Sequence, residues 1–464
     1  MAKIREINMT EGPLTGQLIR FAVPLILTGV IQLLFNTADQ VVVGKFASDQ
    51  SLAAVGSTGA LTNLLVNLFI GVSSGVGAVV ARNFAARKEK YVSNAVHTAV
   101  LISLIFGLFL AALGWFFSRP LLKMMGSPDD TIDLASLYMK IYFLGMPANM
   151  LYNFGASILR AVGDTRRPLY FITLSGGVNV VLNLILVIAF KMDVAGVAVA
   201  TVVSQVISAA LVTVSLAKAE GCYRLELKRL KIHKRELLDS LKLGIPAGIQ
   251  GSLFSISNVI IQSSVNFFGS VVMAGNAAAV NIEGFIYVAM NSFYHTCLNF
   301  TSQNYGVGNE KRMRQVIIRS LFLGSAVGLA MGLGSVVFDV PLLSIFTKTG
   351  DPIPYGIVRI SIFGFTYWLC GFQEVITGFL RGLGRSVVPM VNSVTFVCVM
   401  RIVWVKLVFD PMKLTDTPEN ALRMLYISYT ISWILVSVAN LVYYKFFVSG
   451  KLTRELREAA GQRQ

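Results

Sequence analysis

Long apolar stretches, separated by polar connections, constrain the fold of this 464-residue chain more than any other feature. Each is about 20 residues or longer, which is the length that an α-helix needs to cross the hydrocarbon core of a bilayer. Only 14% of the residues are charged, against about 25% in soluble domains. The sequence therefore predicts an all-α integral membrane protein with twelve transmembrane helices. The predicted spans are 15–43, 52–81, 92–117, 134–158, 167–190, 194–217, 239–265, 272–302, 315–338, 354–380, 387–409 and 421–447.

A basic connection after the sixth span divides the chain into two groups of six helices. The sequence predicts an N-terminal lobe over 1–217, a cytoplasmic basic linker over 218–238, a C-terminal lobe over 239–447 and a cytoplasmic basic tail over 448–464. Lys and Arg concentrate at the N-terminus, in the loops after even-numbered spans and in the tail. By the positive-inside rule, both termini lie in the cytoplasm. The same rule accounts for the net charge of +16, so we expect no nucleic-acid partner.

The second half of the chain repeats the first at a nearly constant separation. Matching positions include Pro24 with Pro246, Asn36 with Asn258, Asn83 with Asn304, Glu89 with Glu310, Arg160 with Arg381, and Pro168 with Pro389. Because each repeat has six spans, both repeats enter the membrane from the same side. This predicts a parallel repeat with a pseudo-twofold axis along the membrane normal. Two such lobes can rock about a central cavity, which is alternating access.

Two residues are unusual in the first span. Pro24 removes a backbone donor inside the helix and predicts a kink. Asp39 places a carboxylate in an apolar run, where a charge near the membrane centre costs roughly 2.5–3.5 kcal/mol and normally faces a cavity or a partner. A flexible point and an ionisable group on one helix suit an ion-coupled transporter. The alternative is that Asp39 lies in the outer membrane interface.

The sequence lacks the residue patterns that several other functions require. The four cysteines form no CxxC pair and the three histidines have no ligand spacing, so we expect no disulfide framework and no metal site. Neither a selectivity filter nor a ring of charges is present, which argues against a channel. No catalytic constellation indicates an enzyme.

Several motifs resemble those of the multidrug and toxic compound extrusion (MATE) family. They are VARNFAARKEK after span 2, SQNYGVGNEKR after span 8, and LRAVGDTRRP and LRGLGRSVVP at the inner ends of spans 4 and 10. The resemblance covers essentially the whole chain. It implies a transporter that expels amphipathic, often cationic, compounds in exchange for protons or sodium, with no cofactor besides the coupling ion.

The resemblance also implies site residues in the N-terminal lobe. Asp39 matches the family's first-helix carboxylate and Pro24 its kinking proline. Asn179 and Asn183 match a polar pair in the fifth span, although many members have Asp where this chain has Asn183. Tyr138 and Thr201 match residues that line the same cavity.

Residue chemistry gives the N-terminal group two possible roles. Asn179 and Asn183 are one turn apart on one helix face. Carboxylate and amide oxygens could bind a hard cation such as sodium, or desolvation could make Asp39 a proton carrier. Hydrogen bonding between helices is the structural alternative for both asparagines.

The C-terminal lobe carries a different set of charges. The sodium-coupled NorM branch of the family has acids at positions that fall near Phe254 or Ser255 and at Cys370 here. This chain has Glu283 and Glu374 instead, so it looks closer to the branch of DNA-damage-inducible exporters. Both glutamates are substrate candidates. A structural ion pair between Glu283 and Arg401 is the alternative for Glu283.

These observations together predict a multi-pass inner-membrane antiporter of bacterial type that exports amphipathic organic cations. We expect it to be a monomer and not an enzyme. A lipid-linked oligosaccharide flippase of the same superfamily is the alternative function. The sequence names neither the natural substrate nor the coupling ion.

Overall fold

A computed structural model of the chain describes residues 6–46, 48–124, 131–347 and 349–461. These residues are helical with no β-strand, as the apolar runs require, because backbone polar groups in lipid must be paired within the segment. The helices of the first half are α1 (Leu14–Phe46), α2 (Asp49–Ala85), α3 (Glu89–Met124), α4 (Ile132–Leu144), α5 (Met146–Ala161), α6 (Arg166–Asn183) and α7 (Asp193–Ala217).

The second half continues with further α-helices, several of them short, and with π-helical segments. It contains α8 (Lys234–Asn266), α9 (Ser270–Val307), α10 (Glu310–Val337), α11 (Asp339–Ser344), α12 (Ile353–Gly382), α13 (Val387–Ser393), α14 (Met400–Trp404), α15 (Asp410–Thr415), α16 (Pro418–Tyr443) and α17 (Ser449–Gly461). A short 3-10 turn, Leu227–Arg229, lies in the predicted linker. The predicted tail is helical over α17, and its residues 462–464 lie outside the described part.

Eleven helices in the described residues are long and apolar enough to cross a membrane. The fourth predicted span is absent from that set because it is broken into α4 and α5 at Gly145. Pro147, near the start of α5, has no backbone N–H to donate to the preceding turn. With this span counted as one broken helix, the described residues contain the twelve expected membrane helices.

The helices form two compact units. The first unit comprises Met1–Asn8 and Leu27–Gly248, and the second comprises Met9–Ile26 and Ile249–Gln464. The divisions fall inside α1 and α8, soon after Pro24 and Pro246. The lobe boundaries drawn from the sequence remain predictions.

Glycines bring the early part of α8 against α2 within the first unit. A Cβ on Gly71 would lie 2.1 Å from the backbone of Gly248, and one on Gly75 would lie 2.4 Å from the carbonyl oxygen of Ser240. Small residues allow membrane helices to approach this closely. No larger side chain fits at either glycine without moving a helix.

The early part of α1 packs within the second unit. Phe21 meets Phe300 edge to face, with ring centroids 5.5 Å apart. Asn304 donates to the carbonyl oxygen of Met9 at 3.1 Å. Arg312 donates to the same oxygen at 3.0 Å, and also to the backbone oxygens of Glu11 and Gly12. This segment is thus fixed by backbone contacts as well as by apolar burial.

Two membrane helices change to π-helical geometry at matching places in the two repeats. Residues Leu184–Ala189 follow α6, and Val405–Phe409 follow α14. A further π-helical segment, Val394–Val399, precedes α14. Such segments are rare and frequently occur at functional sites.

Candidate functional site

The first candidate site surrounds Asp39, in the part of α1 that belongs to the first unit. The side-chain amide of Asn183 donates a hydrogen bond to Asp39 Oδ1. Asn183 is fully buried, whereas Asp39 is partly exposed. Among the described residues no lysine or arginine forms an ion pair with Asp39. Its carboxylate is therefore held by an amide dipole and not by a cation.

A chain of polar groups leads away from Asp39. The Asn183 amide also lies 3.4 Å from Asn179 Oδ1, and the Asn179 amide lies 3.5 Å from Thr201 Oγ1. Thr201 in turn donates to the carbonyl oxygen of Val197 at 2.9 Å. The structure thus brings four of the residues predicted from the sequence into one network across α1, α6 and α7.

One oxygen in this network has no partner. Asn183 Oδ1 is buried and accepts no hydrogen bond from the described residues. A buried acceptor without a partner costs about 1–3 kcal/mol, so it normally faces an ion or an ordered water. Together with the Asp39 carboxylate and Asn179 Oδ1, it presents oxygen ligands of the kind that hard cations prefer.

Close packing between α1 and α6 explains this juxtaposition. A Cβ on Gly176 would lie 1.7 Å from the ring of Phe35, so the ring occupies the space that a side chain would need. Asp39 is one turn after Phe35, and Asn179 is about one turn after Gly176. The glycine therefore lets the polar faces of the two helices meet.

Tyr138 lies near this network without joining its hydrogen bonds. It packs against the valine cluster of Val42, Val43, Val187 and Val197. Its ring stacks on Tyr142, with centroids 5.9 Å apart. No hydrogen bond joins Tyr138 to Asp39 in the described part of the chain. Its expected place in a cavity wall remains a prediction.

Pro24 lies within α1, which stays helical from Leu14 to Phe46. The helix passes from the second unit to the first between Ile26 and Leu27. The kink expected from the sequence does not break the helix.

Glu283, the first candidate in the second unit, forms a buried ion pair with Arg359. Arg359 Nε and Nη2 donate to the two carboxylate oxygens at 2.7 and 2.8 Å. Arg359 Nη1 donates to Asn276 Oδ1 at 2.9 Å, and Tyr426 donates to the same oxygen at 2.9 Å. Both charged side chains are less than a tenth exposed.

This arrangement corrects the expected alternative of a Glu283–Arg401 pair. Arg359 was not among the predicted partners, although an arginine inside the apolar run of the tenth span was a visible signal. Helical periodicity does not determine how each helix is rotated, so it could not choose between two arginines. Arg401 instead donates to Ser432 and covers the ring of Tyr429.

Glu374 is buried on α12 and forms no ion pair among the described residues. Its carboxylate is hydrogen-bonded by Asn291. Arg381, two turns later, donates to the Tyr294 hydroxyl and to Gln250 Oε1 at 2.7 and 2.8 Å. Glu374 therefore has an amide partner but no bonded cation among the described residues.

Within the described residues no group of three or more His, Cys, Asp or Glu side chains could hold a metal ion. The four cysteines are free thiols. The polar chemistry of the membrane helices therefore lies in carboxylates, amides, hydroxyls and guanidinium groups.

Comparison with known proteins identifies the family to which this chain belongs. The sequence model of the MatE family matches residues 24–185 and again 246–406. The chain belongs to the MATE family. The two matches begin at Pro24 and Pro246, the prolines that align in the repeat. Members of this family are transporters rather than enzymes.

Curated relatives and solved structures agree with this assignment. The chain is 28% identical over 381 residues to the probable multidrug resistance protein YoeA of Bacillus subtilis, covering 81% of this chain and 82% of that one. It is 22% identical over 405 residues to an FAD transporter of Shewanella oneidensis, covering 84% and 86%.

A solved structure described as an outward-facing multidrug resistance MATE family transporter matches with a TM-score of 0.88 and 20% identity. It covers 98% of this chain and all of its own. At that identity the likeness concerns the fold, and it confirms the expected all-α membrane fold in two lobes. Multidrug transport by a multi-pass membrane protein is the function that the MATE relatives support.

Proposed function

We propose that this MATE protein exports amphipathic organic cations in exchange for protons or sodium ions by alternating access. The observation that carries the coupling half of this proposal is the contact between Asp39 and Asn183. A carboxylate in a membrane helix with no cationic partner is costly. A transported proton or sodium ion would supply the positive charge that Asp39 lacks, which couples binding of the ion to the state of this helix.

The two coupling ions use the same atoms differently. A sodium ion would take oxygen ligands from Asp39, Asn183 Oδ1 and Asn179 Oδ1. A proton would sit on the Asp39 carboxylate, and a water would satisfy the buried Asn183 oxygen. In both cases, Asn183 orients the carboxylate through its amide.

The substrate half of the proposal depends on Glu374 and on the relatives. Glu374 is a buried carboxylate without a bonded cation and can offset the charge of an organic cation. Glu283 is less suited to that task because Arg359 already neutralises it. The name of the Bacillus relative favours multidrug export over the flippase alternative.

We infer that the protein is a monomer in an inner membrane of bacterial type, with both termini in the cytoplasm. The distribution of Lys and Arg in the loops supports this orientation. We also place it nearer the DNA-damage-inducible exporters than NorM, because Cys370 stands where NorM relatives have an acid.

The test uses purified protein in liposomes and follows ethidium under imposed gradients. A proton gradient and a sodium gradient are applied separately to the wild type and to Asp39→Asn. We expect one gradient to drive transport and the variant to lose at least about 90% of the driven rate, because a neutral amide carries neither ion.

The matched control is Asp133→Asn. Asp133 is an exposed carboxylate of the same unit that pairs with Arg119, and its loss should leave transport unchanged. Undiminished coupling in Asp39→Asn would refute the role given to Asp39. Flux that neither gradient accelerates would refute antiport.

A further inference from the structure

Arg401 is a buried guanidinium group with no carboxylate partner. It lies on α14, in a predicted membrane span, and is 3% exposed. No described acid forms an ion pair with it. Burial of an unpaired charge costs several kcal/mol, on the order of the values for intramembrane arginine. A residue kept at this cost in a transporter is a candidate binding group.

The contacts of Arg401 leave one nitrogen of the guanidinium group without a hydrogen-bond acceptor among the described residues. Nε and Nη2 both donate to the single oxygen of Ser432, at 3.2 and 2.8 Å. The guanidinium carbon lies 3.7 Å from the ring centroid of Tyr429. Nη1 donates to no atom of the described residues. The ring and the serine hold the group in place but do not neutralise it.

Arg359 provides the contrast within the same unit. It donates to both oxygens of Glu283 and to Asn276, and it also packs against Tyr426 and Phe363. All three of its nitrogens therefore have oxygen acceptors. This is the pattern of a structural arginine, and Arg401 lacks it.

Polar residues on α8 indicate where a ligand would reach Arg401. Ser255, Asn258, Gln262 and Asn266 recur every three or four residues on the part of α8 that belongs to the second unit. At membrane depth, a polar stripe of this kind faces water or protein rather than lipid. Asn258 is exposed, and the Tyr429 hydroxyl lies 3.5 Å from its side-chain oxygen. Tyr429, which packs against Arg401, therefore also contacts this polar stripe.

We propose that Arg401 binds the carboxylate of an aromatic substrate in the second unit. Arg401 supplies one positive charge, and no second cation is bonded next to it. A carboxylate, with one negative charge, therefore matches this site better than a doubly charged phosphate. Tyr429 and the adjacent aromatic side chains suit an aromatic body. The proposal rests on the proposed export function and narrows its substrates: compounds that carry a carboxylate beside their cationic group are preferred.

A pair of dyes isolates the carboxylate. Rhodamine 110 has a free carboxylate, and rhodamine 123 is its methyl ester with the same cationic ring system. Binding of both dyes to the purified full-length protein in nanodiscs is measured by fluorescence anisotropy at pH 7.5. We expect the wild type to bind rhodamine 110 about tenfold more tightly, because hydrogen bonds to charged groups contribute about that much.

Variants at Arg401 assign the preference to its charge. Arg401→Gln should reduce the ratio of the two affinities to about one, mainly by weakening the binding of rhodamine 110. Arg401→Lys should retain part of the ratio because it keeps the positive charge. Arg359→Lys is the matched control, and it should lower thermal stability without changing the ratio.

The outcomes separate binding from structure. Equal affinities for the two dyes in the wild type would overturn the proposal even if no Arg401 variant folds. A ratio unchanged in Arg401→Gln would also overturn it, and would leave Arg401 as a structural residue. Neither result bears on the coupling test, since ethidium has no carboxylate and its export depends on Asp39.

Discussion

Asp39 and Glu283 are intramembrane carboxylates in different units, and their surroundings differ in kind. Asp39 is met by the amide of Asn183 and leaves an amide oxygen without a partner. Both carboxylate oxygens of Glu283 accept hydrogen bonds from the Arg359 guanidinium group, one from Nε and one from Nη2. The first arrangement lacks a positive charge among the described residues, whereas the second pairs the acid with a cation. The comparison separates an acid without a cationic partner, which we propose for ion coupling, from one that is neutralised by an arginine of another helix.

The sequence repeat sharpens this contrast. The position aligned with Asp39 in the second repeat is Ile261, which is buried and apolar. The position aligned with Arg401 in the first repeat is Val180, between the two asparagines of the Asp39 network. The repeats therefore share helices and π-helical segments, but neither Asp39 nor Arg401 has a charged residue at its aligned position in the other repeat.

The largest effect should come from breaking the neutral pair. Glu283→Gln leaves the Arg359 charge buried without a partner, and we expect a loss of about 3–5 kcal/mol in the free energy of unfolding. Asp39→Asn should change it by less than about 1 kcal/mol, since no cation loses its partner. Thermal unfolding of both variants in nanodiscs, followed by size-exclusion chromatography, checks the difference. Similar losses in the two variants would remove the distinction drawn here.

An intermediate effect is expected at Asn183. Asn183→Leu removes both the donor to Asp39 and the buried oxygen, so we expect gradient-driven transport to fall about tenfold, the effect of losing one charge-assisted hydrogen bond. The measurement is the initial rate of ethidium export from liposomes. Asn153→Leu is the control, because that amide bonds only within its own helix, to Asn149. Equal losses in both variants would mean that the fold and not the ion site had been disturbed.

The smallest effect is expected at Thr201. Its contact with Asn179 is at the 3.5 Å limit of a hydrogen bond, so Thr201→Val should change the transport rate by less than about twofold. Thr213→Val is a matched control on the same helix, since Thr213 also donates to the backbone one turn before it. A tenfold loss in Thr201→Val alone would mean that Thr201 contacts the transported ion directly.

Sequence patterns predict most of the fold of this molecule, but they do not predict which buried side chains pair with each other. Hydropathy predicts the spans, and the i, i+4 relation places Asn179 and Asn183 together. The break at Gly145 was missed because the hydropathy of the fourth span continues across it; the signal was Pro147. The partner of Glu283 was missed because it depends on the rotation of α9 and α12 about their axes. That rotation is set by packing of whole faces, which one sequence does not reveal.

The division of the two units inside α1 and α8 has a consequence for biosynthesis. Residues 9–26 are made at the start of translation, yet they pack against α9 and α10, which are made much later. The first unit likewise awaits residues up to Gly248 to complete its packing against α2. When translation has reached only the end of the linker, the first unit still lacks the part of α8 that ends at Gly248. Residues 9–26 also still lack the helices against which they pack. Assembly of this protein is therefore an event of the whole chain, finished only after its final membrane helices emerge.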